Sequence, residues 1–192
     1  MRKITLSRNT KETQIEIALN LDGQRNIAID TKVPFLDHML SLMAFHGDFD
    51  LKINAQGDIE VDDHHTVEDI GLLLGDCLNQ IITKNKGLKR YSEITLPMDE
   101  SLARVVIDLS NRPYLGYRVP LIRERIGSME TQNIKEFFKA LSANARMTLH
   151  IDLLFGENEH HKIEAIFKAF GKALSEALVI AGDAVNSSKG VL

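Results

Sequence analysis

"DDHHTVEDIGLLLG", residues 62–75, and "NEHHKIEAIFKAFG", residues 158–171, each open on two adjacent histidines, place a glutamate one helical turn later and continue as an apolar helix. Laid on each other at an offset of 96 residues, they match His64 with His160, His65 with His161, Glu68 with Glu164 and Gly75 with Gly171. Upstream, "HMLSLMAFHGDFDLKI" lies on "EFFKALSANARMTLHI" at an offset of 98, pairing Leu51 with Leu149 and Ile53 with Ile151. Two matched runs at nearly constant spacing mark an internal duplication, with pseudo-repeats at about 1–92 and 93–192. No Gly/Ser/Pro-rich segment divides the copies, so they are expected to fold together as a single domain.

Each copy reads as a strand-helix-strand-helix unit. Ile15, Ile17, Leu19 and Leu21 alternate as a strand does, and the following "LDG" predicts a hairpin turn toward "NIAID". Pro34 marks a helix start, and Phe35, Leu36, Met39, Leu40 and Met43 recur at helical spacing up to Gly47. "FDLKINAQGD" is a strand, and the first His-His segment opens a helix through about Thr83. "EITLP", "LARVVIDLS" and "YLGYRV" are strands, followed by a helix over "NIKEFFKALSANA", the strand "MTLHIDLLFG" and a helix from His160. The expected class is α+β, an internally duplicated strand-helix-strand-helix unit with two sheets packed around a layer of helices.

The 192 residues, 44% of them hydrophobic, suffice for one sizeable core. A net charge of -4 gives no basic field of the kind nucleic-acid binders use, and no apolar run is long enough to cross a bilayer. "MRKITLSRNTKE" reads as a strand, not a secretory signal, so the chain is expected to begin near Met1 and to work in the cytoplasm. Cys77, the single cysteine, stands among "LLLGDCLNQI" and reads as a small core residue, not a nucleophile.

On a helix, residues four apart share a face, so His64 with Glu68, or His160 with Glu164, can hold one ion between them. Adjacent residues diverge by about a quarter turn or more, so His64 and His65 are expected to serve different ions, with further ligands coming from elsewhere in this chain or from another chain. Imidazole mixed with carboxylate suits Mn, Fe, Co or Zn better than Mg or Ca. A single copy reads equally well as solvated first-turn histidines flanked by carboxylates. Its recurrence at matched positions, while neighbours drift from Asp69 to Ala165 and from Gly71 to Phe167, favours metal. His38 and His46 are further candidates, with Asp37 placed to orient His38; His150, in an apolar alternating strand, reads as structural.

Six segments in order resemble the imidazoleglycerol-phosphate dehydratases: "RNTKET" (8–13), "VPFLDHML" (33–40), "DDHHTVEDIG" (62–71), "MDESLARVVIDLSNRPYL" (98–115), "EHHKIEAIFKAFGKAL" (159–174) and "SSKGVL" at the end. The likeness covers essentially the whole chain. It implies a carbon-oxygen lyase of histidine biosynthesis that removes water from imidazole glycerol phosphate, with two manganese ions per active site. It further implies His38, His64, His65, Glu68, His160, His161 and Glu164 as metal ligands. The family usually carries one more ligand histidine in the helix before "TLH"; this chain has Glu136 there, and the repeat lays Glu136 on His38. A carboxylate at that position remains compatible with manganese.

By the same resemblance Glu12 handles the carbon-bound proton, in competition with a plain solvated carboxylate. His46, Arg90, Arg112, Ser187, Ser188 and Lys189 contact the substrate, Arg90, Arg112 and the Ser-Ser-Lys run binding its phosphate. His38, Glu68 and Glu164 are expected to share in the chemistry. Metal on both ring nitrogens would let the imidazole ionise and expel the hydroxyl through a diazafulvene-like intermediate. The resemblance implies an octahedral homo-oligomer of 24 chains with sites shared between subunits. Two other classes fit paired His and Glu: a metal-storage or metal-sensing assembly, and a metal-dependent phosphatase acting on a phosphorylated small molecule.

Overall fold

The computed structural model describes residues 2–190. The first copy runs β1 (Lys3–Asn9), β2 (Thr13–Asn20), β3 (Ile27–Asp30), α1 (Pro34–His46), β4 (Asp50–Gly57) and α2 (His64–Lys84). The second runs β5 (Tyr91–Met98), β6 (Ser101–Asp108), β7 (Tyr114–Arg118), a small hairpin of β8 (Arg125–Ile126) and β9 (Met129–Glu130), α3 (Gln132–Ala145), β10 (Thr148–Phe155) and α4 (Glu159–Ala177). Their sheets are ordered β1-β2-β4-β3 and β5-β6-β10-β7, the same topology twice. In each, one helix is the crossover that a parallel pair requires: α1 joins β3 to β4, and α3 joins β7 to β10. The β8–β9 hairpin has no counterpart among the described residues of the first copy and carries no sequence periodicity long enough to announce it.

The expected hairpin from β2 into "NIAID" does not form. β4 lies between the two strands, pairing Leu51 with Leu19 on one side and with Ile27 on the other. Asp50, at the start of β4, explains the crossing: its Oδ1 accepts the Gln24 and Asn26 amides at 2.7 and 2.8 Å, and its Oδ2 accepts Asn20 Nδ2 at 2.9 Å. Those bonds carry the connecting chain across the end of β4, so "LDG" starts a loop instead of a two-residue turn.

Period-two alternation puts Ile15, Ile17 and Leu19 of β2 with Leu51, Ile53 and Ala55 of β4 on one buried face, and Ala103, Val105 and Ile107 of β6 with Leu149 and Ile151 of β10 on the other. Both faces look onto the helices, which form the middle layer. Within it the pairing crosses the duplication: α2 of the first copy packs on α3 of the second, and α1 on α4. Glycine permits the approach. A Cβ on Gly71 or Gly75 would come within 2.6 Å of Phe137 O or 2.7 Å of Leu141 O in α3, and one on Gly171 would meet Met43 O of α1. Phe137, Phe138, Phe167 and Phe170, all fully buried, fill the space between α3 and α4 with ring centroids 5.0 to 5.6 Å apart. Truncating such a ring costs about 3–5 kcal/mol, so this crossed helix layer is a principal source of stability.

Candidate functional site

Both His-His pairs sit at helix starts fixed by the same device. Asp62 Oδ1 accepts the His64 amide at 2.8 Å, and its counterpart Asn158 accepts the His160 amide at 2.9 Å. Each bond satisfies an amide that the helix itself cannot, Asn158 acting as the N-cap of α4 and Asp62 acting from one residue before Asp63, the N-cap of α2.

From there the paired histidines part, as helical geometry requires. His64 and His65 have ring centroids 6.0 Å apart, and His160 and His161 6.3 Å apart, nearly perpendicular in both cases. His64 Nε2 lies 3.7 Å from Glu68 Oε2, and His160 Nε2 lies 3.3 Å from Glu164 Oε2, one turn on. His38, reaching over from α1, brings its Nε2 to 3.9 Å from the same Glu164 oxygen. His38, His160 and Glu164 each offer a donor atom within 4.8 Å of the others, the one such trio of His, Cys, Asp or Glu among the described residues. The crossed helix layer makes it, since α1 and α4 come from opposite copies.

Glu164 is only 7% exposed. Burial pushes its carboxyl up, but Lys168, whose Nζ lies 2.5 Å from Oε1, together with His38 and His160, outweighs burial and holds it below the usual range. A buried anion facing two imidazoles is a donor set suited to a divalent ion of the Mn, Fe, Co or Zn kind.

His65 and His161 point elsewhere and are held by carboxylates. His65 Nδ1 lies 3.0 Å from Asp58 Oδ2 and 3.9 Å from Glu12 Oε2; His161 Nδ1 lies 2.7 Å from Glu100 Oε2. Hydrogen bonding to Asp58 and to Glu100 raises the respective imidazole pKa values, and His161 with the Asn158 amide holds the Glu100 carboxyl well below its ordinary range. A carboxylate can only accept, so each Nδ1 carries the proton and each neutral ring keeps its lone pair on Nε2, as in carboxylate–histidine–metal triads.

Asp37 does not orient His38. Its Oδ1 accepts the Thr31 amide at 2.8 Å and the Thr31 hydroxyl at 2.6 Å, because adjacent helical side chains diverge and Asp37 faces the loop before α1. Glu136 stands outside the trio on α3, its Oε2 2.8 Å from Lys139 Nζ. Cys77 is buried and its thiol is pushed up to about 12 by burial, which makes it inert. His150 lies on β10 beside Tyr114, with 5.4 Å between ring centroids, and fills the space left by Gly116. His46, at the end of α1, packs on Phe45; burial, then Lys168, Lys172 and Arg25, pushes its pKa down.

The residues expected to bind phosphate gather at the far ends of the same helices. Arg90 donates its amide to Ala177 O at the end of α4, ion-pairs with Asp108 at 2.7 Å and reaches Asn186 O in the C-terminal segment. Arg112 extends from the same corner, its side chain 66% exposed and 3.9 Å from Asp108. In the segment that Arg90 holds, Ser187, Ser188 and Lys189 turn back on themselves through a bond from the Lys189 amide to Ser187 Oγ.

Sequence reasoning did not single out Lys168, Asp58, Glu100 or Asn133. Glu100 carried a signal: it occupies the β5–β6 turn as Glu12 occupies the β1–β2 turn, so the repeat pairs them.

A duplicated α+β scaffold whose crossed helices present histidine and carboxylate at two matched helix starts defines the class of this protein. The family model for imidazoleglycerol-phosphate dehydratase matches residues 31–174. The chain is 55% identical over 192 residues to imidazoleglycerol-phosphate dehydratase of Clostridioides difficile (strain 630), covering all of both chains, and 54% identical to that of Desulfotalea psychrophila, covering 100% of this chain and 96% of the relative. The crystal structure of the dehydratase from Staphylococcus aureus matches with a TM-score of 0.85 at 46% identity over 93% of this chain and 99% of that one. That from Pyrococcus furiosus gives 0.86 at 37% identity, over 97% and 100%. The chain belongs to the imidazoleglycerol-phosphate dehydratase family of hydro-lyases.

Proposed function

We propose that this chain dehydrates imidazole glycerol phosphate to imidazole acetol phosphate in the cytoplasm, as a step of histidine biosynthesis, using two manganese ions per active site. The single observation that carries the metal dependence is the trio of His38, His160 and Glu164, assembled from opposite copies around a buried carboxylate. In this reading His38, His160 and Glu164 hold one ion and His64 and Glu68 contribute to another, with Glu136 as a further carboxylate ligand. His65 and His161 offer their Nε2 atoms to ions bound by other subunits.

Divalent ions held by these histidines and carboxylates would supply Lewis acidity toward the substrate's imidazole. The residues do the rest. Glu12, 3.9 Å from His65 Nδ1 in the β1–β2 turn, takes the proton from the second side-chain carbon as the hydroxyl leaves the carbon beside the ring, so that water is lost and the resulting enol becomes the ketone. Arg90, Arg112, Ser187, Ser188 and Lys189 anchor the phosphate, and His46 lines the substrate's path.

The spacing of these groups supports sharing between chains. His161 lies in the first turn of α4 and Arg90 is bonded to Ala177 at its end, 16 residues on, a rise of about 24 Å. The three-carbon chain between ring and phosphate in the substrate is far shorter. In this reading metal ligands of one subunit meet phosphate-binding residues of another, as in an octahedral assembly of 24 chains. No helix among the described residues is long and apolar enough to cross a membrane.

Incubating the purified, manganese-loaded protein with imidazole glycerol phosphate tests the proposal. Appearance of the ultraviolet signal of the ketone product without released phosphate is the expected result. Released phosphate would indicate a phosphatase, and bound metal without turnover a storage or sensing protein.

A further inference from the structure

We propose that Asn133 is a positioning residue that fixes the tautomer of His64, so that the α2 part of the centre presents Nε2 to its cation; this rests on the metal-binding reading above. Asn133 lies in the first turn of α3 and is 1% exposed. Its Oδ1 is 3.0 Å from His64 Nδ1. Its Nδ2 lies beside Asp63, without a hydrogen bond of normal length and angle.

That arrangement settles which way the amide faces. The Asp63 carboxylate accepts the Glu130 amide at 3.3 Å and can only accept, so the amide nitrogen belongs on its side and the oxygen on the side of His64. An amide oxygen accepts too, so His64 Nδ1 must carry the hydrogen. A neutral imidazole has one N–H and one lone pair, and the lone pair then stands on Nε2, the atom 3.7 Å from Glu68 Oε2. Asp63, Asn133 and His64 form a chain whose product is a correctly turned ligand.

Two comparisons within the molecule argue that this is a device and not ordinary packing. A buried amide with an incompletely satisfied nitrogen is unfavourable where an apolar side chain would fit, so folding alone does not account for Asn133. In the other copy the offset of 98 places Phe35 at this position, and its ring meets His160 edge-on at 5.1 Å. Phe35 restrains His160 without choosing between its nitrogens. The tautomer of His64 is dictated by the protein; that of His160 is left to its surroundings.

Manganese titration of the assembled protein, followed by the electron paramagnetic resonance signal of free Mn2+, tests this together with the solid-state 15N spectrum of histidine-labelled, metal-free protein. His64→Gln identifies the His64 signals. The wild type should show His64 as the Nδ1–H tautomer. Asn133→Leu, of similar volume and lacking the acceptor, should mix the tautomers and weaken one class of Mn2+ sites by roughly 10- to 100-fold. Phe35→Leu should leave the His64 signals unchanged. An Nε2–H tautomer in the wild type overturns the proposal whatever the variants do, as does an Asn133→Leu protein with wild-type affinity and tautomer. A wild type that binds no Mn2+ at all overturns the metal reading itself, an outcome separable from loss of positioning alone.

Discussion

His38 and Glu164, from opposite copies of the duplicated unit, meet with Nε2 and Oε2 3.9 Å apart, and His160 approaches the same oxygen to 3.3 Å. Neither copy alone could make that trio. Duplication followed by crossed helix packing therefore does more than enlarge the core: it brings a histidine of α1 to a carboxylate of α4.

Removing the shared carboxylate should remove one ion. Glu164→Gln keeps the shape and loses the charge that His38, His160 and Lys168 face. Metal analysis of the purified variant should find one manganese fewer per site, with turnover down by about 10²-fold or more. Full occupancy would exclude Glu164 as a ligand.

Glu12→Gln separates proton transfer from metal binding. Glu12 is an exposed turn residue, so its loss should spare the fold and the metal content while kcat falls by about 10²–10⁴-fold, the usual worth of a positioned acid or base. Near-normal turnover would remove Glu12 from the reaction.

Arg112→Ala should act on substrate and not on metal. The side chain is largely exposed at the end of the molecule opposite the trio. Steady-state kinetics should show KM raised by about tenfold or more with manganese content unchanged. Equal losses of substrate affinity and metal occupancy would count against a phosphate role.

Gly75→Ala tests the helix layer. The added methyl would stand 2.7 Å from Leu141 O and 2.9 Å from Ala145 N, atoms of a helix backbone that cannot step aside cheaply. Overpacking of this kind costs about 1–3 kcal/mol, which should appear as a lowered urea midpoint for the metal-free protein.

Asp152 gives the acid dependence a sign. Burial pushes its carboxyl up, but hydrogen bonds from Arg118 and Arg104 outweigh this and leave it below 3.8, its ordinary value. A lowered folded pKa contributes stability that is fully present above the unfolded value and is lost as pH falls through the folded one. Asp152→Asn should therefore be less stable than wild type near neutrality, and the gap should close below about pH 4 in acid-unfolding curves.

Much of this was legible in the chain because helical and strand periodicities are local. The fold class, the duplication, the divergence of His64 from His65 and the i,i+4 pairing with Glu68 all follow from angles per residue. What was not legible depends on through-space partners. Asp50 reroutes the chain after β2 by accepting amides from Gln24 and Asn26, and no pattern in "LDG" announces this. Asp37 faces Thr31 instead of His38 because the loop before α1 doubles back. Asn133 is one polar letter on an amphipathic helix until α2 is seen lying against it.

The most direct test is an anomalous difference map from crystals of the manganese-loaded protein, recorded at the manganese absorption edge. The account requires one peak at coordinating distance, about 2.2 Å, from His38, His160 and Glu164, and another at that distance from His64 and Glu68, each shell completed by a neighbouring chain. Peaks absent from both places, in crystals of protein that turns over the substrate, would contradict it.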